Sequence, residues 1–164
     1  MKTTEFSVPN IDYIVISGVP VRQSKFGDIL DYPPQKLECL VATAIIENNY
    51  AITGVEIKFF RSLLGLSLAD FGKFFELSDV AILKWERKRT PLDLIKQIVL
   101  HNFMGEKLGI KPRVYSLQAE IRQTPSRRKV IHLKSLSSKT KSVARKAADS
   151  RNHHGTATQY GSSS

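Results

Sequence analysis

The sequence predicts a mainly α protein, in which a small N-terminal β unit precedes five helices and a disordered basic tail follows them. A β-branched and aromatic run near the start indicates strands. Three closely spaced helix-capping signals between residues 53 and 91 indicate short helices rather than one long helix. From residue 124 the chain is mostly Ser, Lys, Arg, Thr and Ala, which is typical of disorder. We therefore expect the β unit at 1–34, the helical domain at 35–110 and the tail at 111–164.

Within the β unit, residues 11–16 (IDYIVI) predict the first strand, because β-branched and aromatic side chains favour extended backbone. The Ser-Gly pair that follows predicts a turn, after which residues 19–21 resume an extended run. Pro20 indicates an edge position, since proline lacks the N–H group that a central ladder requires. Residues 26–32 predict a third strand, and the two prolines after it end the sheet.

The first helix is predicted at 37–48, because apolar side chains recur there at helical spacing. Asn48 and Asn49 end it. Cys39 in this helix is the single cysteine of the chain, so the sequence excludes an internal disulfide bond and a zinc site built from cysteines. The predicted inward residues of the helix are Leu37, Leu40, Val41, Ala44 and Ile45.

Residues 53–91 are predicted to hold three short helices, each opened by its own cap. Thr53 and Glu56 have the spacing of a capping box, in which the two side chains accept hydrogen bonds from each other's backbone N–H groups. Gly65 ends the first of these helices, and Ser67 and Ser78 open the next two. The apolar residues on or near their buried faces are Ile57, Phe60, Leu64, Phe71, Phe74, Phe75, Ile82 and Trp85.

A fifth helix is predicted to begin at Thr90 as the cap, with Pro91 in the first helical position and Asp93 in the third. Gly109 lies near its end. Leu92, Ile95, Val99 and Phe103 form the predicted core stripe. The helix carries more apolar residues than one buried face needs, which indicates either a dimer contact or a fully buried core helix. The surplus residues are Leu94, Ile98, Leu100 and Met104.

The positive charge of the chain is concentrated in its tail. The net charge is +10, and residues 111–164 hold twelve basic residues and only two acidic ones. Such a tail favours polyanions, among which nucleic acid is the obvious partner, although a solvated end without a partner has the same composition. No apolar run reaches the ~18 residues of a membrane span. The start of the chain lacks a signal-peptide core, so we expect no membrane association and a cytoplasmic, nucleoid-associated protein.

The region around Gly65 resembles the Xre/Cro-type helix-turn-helix of phage repressors and antitoxins. The resemblance is carried by Leu64-Gly65-Leu66-Ser67 and by residues 77–86 (LSDVAILKWE), which a basic run and Pro91 follow. It implies a five-helix fold that binds double-stranded DNA, with a recognition helix that starts after Ser78. The family commonly has glutamine at the start of the second helix, where this chain has Leu68.

This resemblance implies a set of DNA-binding residues on the second and third helices and just after them. Lys84 is expected to contact guanine or phosphate, and Asp79 is expected to accept from a cytosine amino group. Apolar side chains on the same face have thymine methyl groups as their natural partners. The basic run 87–89 is expected to contact phosphates, although a solvated charge run is the alternative. The full predicted set is Ala69, Lys73, Ser78, Asp79, Val80, Ala81, Leu83, Lys84, Arg87, Lys88 and Arg89.

A narrower resemblance is to the MqsA-type (YgiT-type) antitoxin and regulator family, and it is carried by residues 10–19 together with 53–61. Many members of that family bind zinc through CxxC pairs in the N-terminal domain. This chain lacks those cysteines, so we expect no metal and a domain that is held by its own apolar residues. One helix-turn-helix offers few base contacts, so we expect a dimer that acts as a repressor or autoregulator.

Two function classes follow. One is a sequence-preferring transcriptional regulator that binds double-stranded DNA as a homodimer. The alternative is an antitoxin-type interaction protein that neutralises a partner toxin through its N-terminal part. An enzyme is not expected, because no catalytic triad spacing or glycine-rich phosphate loop occurs, and His101 and His132 stand alone in the sequence. No motif calls for a cofactor, and the adjacent histidines 153 and 154 do not indicate a metal site.

Overall fold

The computed structural model describes residues 2–111, 121 and 128–133. Within them, four strands pair in one network and five helices pack beside it. The elements in chain order are β1 (Thr3–Val8), β2 (Ile11–Ser24), β3 (Gly27–Leu30), α1 (Pro34–Glu47), α2 (Gly54–Leu63), α3 (Leu68–Lys73), α4 (Asp79–Glu86), α5 (Leu94–Leu108) and β4 (Lys129–His132).

The expectation of a mainly α protein is wrong. The five helices are present in the described residues, but a four-stranded sheet accompanies them. Helices hold 46% and strands 25% of those residues, so the fold is a mixed one with a substantial sheet. The β content was underestimated because β2 is much longer than the predicted strand at 11–16. In addition, β1 and β4 lie outside the runs that the sequence indicated as strands.

Strand β2 is the centre of the sheet, and every other described strand pairs with it. Its first half lies parallel to β4, with Ile14 opposite Lys129, and its second half lies antiparallel to β3. Antiparallel β1 follows it from Pro20 back to Ile11. The turn predicted at the Ser-Gly pair is absent, because β2 continues through Gly18, whose φ of 78° accommodates an irregularity in the ladder.

The edge position predicted for Pro20 is also wrong, since β2 has partners on both sides. The ladder to β4 ends at Ser17 and the ladder to β3 begins at Val21. Val21 donates its N–H to Lys2 on the β1 side, and the Pro20 carbonyl accepts from Asp31 on the opposite side. The missing N–H of Pro20 therefore falls between two ladders, where no strand requires it.

The predicted disorder from residue 124 onward is wrong for β4. Residues 129–132 pair with β2, and Ile131 packs against the apolar core. A parallel strand needs a long crossover, and the chain between the end of β2 and the start of β4 supplies one. The rest of the predicted tail lies outside the described residues apart from Lys111, Ile121, Arg128 and Leu133.

One apolar cluster holds the sheet and the helices together, because buried residues of β2, α1, α2, α3, α4 and α5 belong to it. Helix α1 lies against β1 and β2, and its predicted inward residues are buried. The division of the chain at residues 34 and 110 stays a prediction. The largest side chains that are fully enclosed are Phe60, Phe71, Ile11, Ile14, Ile16, Leu37, Ile45, Ile52, Ile57, Ile82, Leu100 and Met104.

The predicted caps of the three short helices, at Thr53, Ser67 and Ser78, are confirmed. Thr53 and Glu56 form the capping box, and the Ser67 and Ser78 hydroxyls accept from the backbone N–H groups three residues on. Gly65 adopts a φ of 66° after α2, which favours glycine because it lacks a Cβ atom. These contacts span three residues or fewer, so the local sequence specifies them.

Helix α5 differs from its prediction in its start and in its buried face. Asp93, not Thr90, caps it by accepting from the Lys96 N–H. Ile95 and Val99 of the predicted core stripe are exposed, whereas Leu100 and Met104 of the predicted surplus are buried.

Two polar side chains of α5 select its inward face. The amide of Gln97 accepts from the Ile52 N–H and donates to the Ile52 carbonyl, each over 2.8 Å. The Nε2 atom of His101 lies 2.9 Å from the Tyr50 carbonyl. Both side chains are buried, so turning the helix to enclose Ile95 would break these hydrogen bonds. None of the helices in the described residues has the length and apolarity to cross a membrane.

Candidate nucleic-acid interface

Helix α4 turns one face to the core and the other to solvent. Ser78 opens it, and the Ser78 hydroxyl accepts from the Ala81 N–H over 3.2 Å. Ile82 is fully buried, and the ring of Trp85 packs 5.9 Å from that of Phe75. These contacts anchor the inner face. The exposed residues on the other side are Asp79, Val80, Lys84 and Arg87.

The structure places most of the predicted DNA-binding residues on the surface. The α4 residues and the three that follow the helix form one continuous stretch, and those of α3 lie on the neighbouring helix that contacts α4. Ala81 and Leu83 are half-buried, which limits their reach to a base edge. The exposed members are Ala69, Lys73, Ser78, Asp79, Val80, Lys84, Arg87, Lys88 and Arg89.

The cations at the end of α4 differ from Lys73 in their pairing. Among the described residues, Lys84 and the basic run 87–89 form no ion pair, so their charge is available to an outside anion. Lys73 donates to Asp70 over 2.8 Å. The Lys73 ammonium, assisted by the Ser67 hydroxyl, holds the pKa of the Asp70 carboxyl below its usual value. The unpaired positive charge of this surface therefore lies on α4 and on residues 87–89 after it, whereas the positive charge of Lys73 on α3 is paired.

Asp79 is already engaged by its own helix. Its Oδ1 atom accepts from the Val80 N–H over 2.8 Å, in addition to the Ser78 cap at Ala81. Two N–H groups at the start of α4 are therefore satisfied inside the protein. A carboxylate at this position is stabilised by the helix dipole, but it lowers the attraction of the helix N-terminus for phosphate.

Arg61 and Glu86 form a largely buried ion pair that the sequence motif did not reveal. Nε of Arg61 lies 2.6 Å from Oε1 of Glu86, and Nη2 lies 3.3 Å from Oε2. Nη1 donates to the Leu66 carbonyl over 2.9 Å. The side chains of Arg61 and Glu86 are 17% and 6% exposed. Through these hydrogen bonds Arg61 joins α2, the turn after it and the end of α4. The Nε, Nη1 and Nη2 atoms of Arg61 thus all have partners inside the protein.

Two glycines allow backbone segments to approach closely around α4. A Cβ atom on Gly54 would lie 2.3 Å from the Glu86 carbonyl oxygen, and the Gly54 N–H donates to the Lys88 carbonyl over 2.8 Å. A Cβ atom on Gly72 would lie 2.3 Å from the Leu77 oxygen. The sequence analysis did not predict either of these close backbone approaches. An isolated glycine inside a helix, as at position 72, is the signal that indicates such an approach.

The sheet is joined to α2 by a buried hydrogen bond between Tyr13 and Glu56. The Tyr13 hydroxyl donates to Oε1 of Glu56 over 3.0 Å, while Oε2 accepts from the N–H and hydroxyl of Thr53. Burial, together with the nearby Glu56 carboxylate, raises the pKa of Tyr13 far above its usual value. Tyr13 therefore stays protonated and keeps donating, so the capping box is tied to β2 as well as to its own helix.

Within the described ranges, no group of three or more His, Cys, Asp or Glu residues is placed to hold a metal ion. Comparison of the chain with models of protein families, with curated proteins and with solved structures returned no match. The resemblances to the Xre/Cro-type and MqsA-type families therefore stay predictions that rest on the motif residues.

Proposed function

We propose that the protein is a sequence-preferring, double-stranded DNA-binding regulator of transcription that acts as a homodimer. In this proposal α3 and α4 form a helix-turn-helix, and α4 is the recognition helix. The observation that carries the proposal is the exposed outer face of α4, which leads without interruption into the unpaired cations of residues 87–89. The role needs no catalysis and no cofactor, and it would place the protein in the cytoplasm on the nucleoid.

Base contacts would come from the outer face of α4. A major groove about 12 Å wide admits a helix, and side chains on its outer face meet base edges there. Lys84 is exposed and carries donors suited to guanine O6 or N7. Val80 is more than half exposed and offers methyl groups to a thymine methyl. With Asp79 engaged by its own helix, the face has few hydrogen-bonding groups, so sequence preference would draw partly on DNA shape.

Phosphate contacts would come from residues 87–89. Their side chains are exposed, and the hydrogen bond from the Gly54 N–H to the Lys88 carbonyl holds the backbone of this run against α2. A cation on a held backbone loses less freedom when it meets a phosphate than one on a mobile chain. These contacts would set the position of α4 along the duplex without carrying sequence information themselves.

The decisive test is the double variant Lys84→Ala with Arg87→Ala, titrated against a duplex selected from a random library. Each contact to a base or phosphate is worth on the order of 1 kcal/mol or more, so we expect affinity to fall at least about tenfold. The matched control is Lys25→Ala with Lys36→Ala, which removes two exposed cations from the β2–β3 turn and α1. If both double variants bind as tightly as the unchanged protein, the placement of the interface on α4 is wrong.

The alternative function, neutralisation of a partner toxin through the N-terminal part, stays a prediction. The Tyr13–Glu56 hydrogen bond and the shared core join the sheet to the helices in one unit. A partner that binds the sheet would therefore act on a body that is continuous with the proposed DNA-binding helices.

A further inference from the structure

An exposed apolar patch lies beside α4, on the side formed by α5 and the link between α3 and α4. Phe74 is 51% exposed, Leu94 41%, Ile95 75% and Val99 44%. Phe74 was expected to lie at a buried face, and Ile95 and Val99 were expected in the core stripe. Single exposed apolar residues are ordinary, but four on adjoining segments form a patch of the kind that marks an interaction site.

A groove of about 380 Å³ runs through this patch. One wall is formed by Phe74 and Leu77 of the α3–α4 link, and the other by Ile95 and Val99 of α5. The rings of Phe75 and Trp85 also line it. The most exposed residue of the patch, Ile95, therefore stands at the rim of an apolar groove that is large enough to receive a side chain.

A projecting apolar residue beside a receiving groove suits a second copy of the same chain. In a two-fold interface the same surface serves both partners, so it must be self-complementary. Ile95 of one copy can enter the groove of the other while the reverse contact forms at the same time. The charges fit the same arrangement, since the groove has Glu76 on one wall and Lys96 on the other.

The area of the patch fits the centre of a dimer interface. A fully covered aromatic side chain buries about 150–250 Å², so these partly exposed residues together would bury on the order of 400 Å² per copy. A stable interface removes about 800 Å² per partner, with an apolar centre and a polar rim. Lys107, whose ammonium lies 4.9 Å from the centre of the Phe74 ring, and Lys96, which pairs with Asp93, supply such a rim.

We propose that this patch is the two-fold contact between two copies of the chain, with Ile95 of each copy seated in the groove of the other. The inference rests on the proposed function, because that function calls for a dimer, and it assigns the dimer a surface. It also has a consequence for DNA. Phe74 and Leu77 belong to the link that leads into α4, so the contact would fix the separation of the two α4 helices, which must be near ~34 Å for successive major grooves.

The first test measures oligomeric state by sedimentation velocity without DNA. We expect a dimer for the unchanged protein and a monomer for Ile95→Lys and for Val99→Lys, with the far-UV circular dichroism and melting temperature retained because both side chains are exposed. Phe26→Lys is the matched control, since Phe26 is exposed at the β2–β3 turn, and it should stay dimeric. A monomeric unchanged protein, or a dimer that survives both α5 substitutions, would overturn the proposal.

A second measurement does not depend on breaking the interface. Cys39 is the single cysteine, so a Cys39→Ser background allows one new thiol to be tested. Ile95→Cys should give a disulfide-linked dimer under mild oxidation, because Ile95 itself lines the groove that would receive Ile95 of the other copy, and a disulfide requires Cα atoms within about 7 Å. Phe26→Cys in the same background should remain monomeric on a non-reducing gel. Equal cross-linking at both positions would contradict the assigned surface.

DNA binding separates failure of this inference from failure of the proposed function. Ile95→Lys should keep its affinity for a single half-site and lose the tighter binding to a two-fold symmetric site by about tenfold or more. If the unchanged protein and Ile95→Lys bind the symmetric site equally well, the function stands and the assigned interface is wrong. If the protein dimerises through residue 95 but binds no duplex, the interface stands and the function is wrong.

Discussion

Gly54 shows how a single residue without a side chain controls the position of the proposed interface. It starts α2, yet its backbone meets the last residues of α4 and the run that follows. A Cβ atom at this position would be 2.3 Å from the Glu86 carbonyl oxygen and 2.6 Å from that of Trp85. Both are backbone atoms, so no side-chain rotation can relieve the clash.

We predict that Gly54→Ala destabilises the protein by about 1–3 kcal/mol, the usual range when a well-packed site is overfilled. It should also lower DNA affinity, because the end of α4 and residues 87–89 that follow it would have to move away from α2. Urea denaturation measures the first effect and a duplex titration the second. Ser62→Ala, at an exposed position of the same helix, is the control and should change stability by less than about 0.5 kcal/mol. Equal stability of the two variants would show that α4 is not held at Gly54.

At the scale of elements, the Arg61–Glu86 pair is a polar connection between α2 and α4. It joins residues that are 25 positions apart, and Glu86 follows the buried Ile82 by one turn of α4. The Arg61 guanidinium also satisfies the Leu66 carbonyl at the turn after α2. Loss of either partner therefore leaves a poorly solvated charge and loosens the end of the proposed recognition helix.

We predict that Arg61→Met destabilises the fold by about 3–5 kcal/mol, because it leaves the Glu86 carboxylate buried without a counter-charge. The double variant Arg61→Met with Glu86→Leu should recover much of this loss, since it removes both charges together. A double-mutant cycle in urea isolates the pair. The matched control is Lys73→Met with Asp70→Leu, an exposed pair whose removal should have little effect. Additive losses at Arg61 and Glu86 would mean that the two side chains do not interact in solution.

At the scale of the whole molecule, β4 makes part of the basic tail a strand of the sheet. The parallel pairing of residues 129–132 with β2 covers the sheet edge at Ile14 and Ile16, both fully buried. The Ser17 hydroxyl lies 2.7 Å from Nδ1 of His132, and Lys129 donates to Asn48 at the end of α1. Within the described part of the tail, residues 129–132 thus anchor it to the sheet.

We predict that truncation after Leu133 keeps the melting temperature and flattens the dependence of DNA affinity on salt. Each phosphate that a tail cation neutralises contributes ~0.9 to the slope of log affinity against log salt. Truncation before Thr124 also removes β4, so we expect a lower melting temperature and aggregation through the opened edge of β2. The two truncations act as controls for each other. Equal melting temperatures would show that β4 contributes nothing to stability, and an unchanged slope would exclude the tail from DNA binding.

The amino-acid sequence by itself determined the helix boundaries around the proposed interface. Thr53 with Glu56, Ser67 and Ser78 act on N–H groups within three residues, and Gly65 and Gly109 act through their own backbone angles. It also placed the charge of α4 and its exposed residues Asp79, Val80 and Lys84, which lie away from the buried Ile82. Such features depend on near neighbours, so they can be read without knowing the fold.

Only the tertiary structure decided which face of α5 is buried, because two apolar stripes share that helix and the hydrogen bonds of Gln97 and His101 to residues 50–52 select between them. It likewise decided the extent of the sheet, the ion pair of Arg61 and the bond from Tyr13 to Glu56, which is 43 residues away in the chain. These partners meet only when distant segments pack together. Helical or strand periodicity reports the spacing of apolar residues along one segment, and it carries no information about which distant segment will cover them.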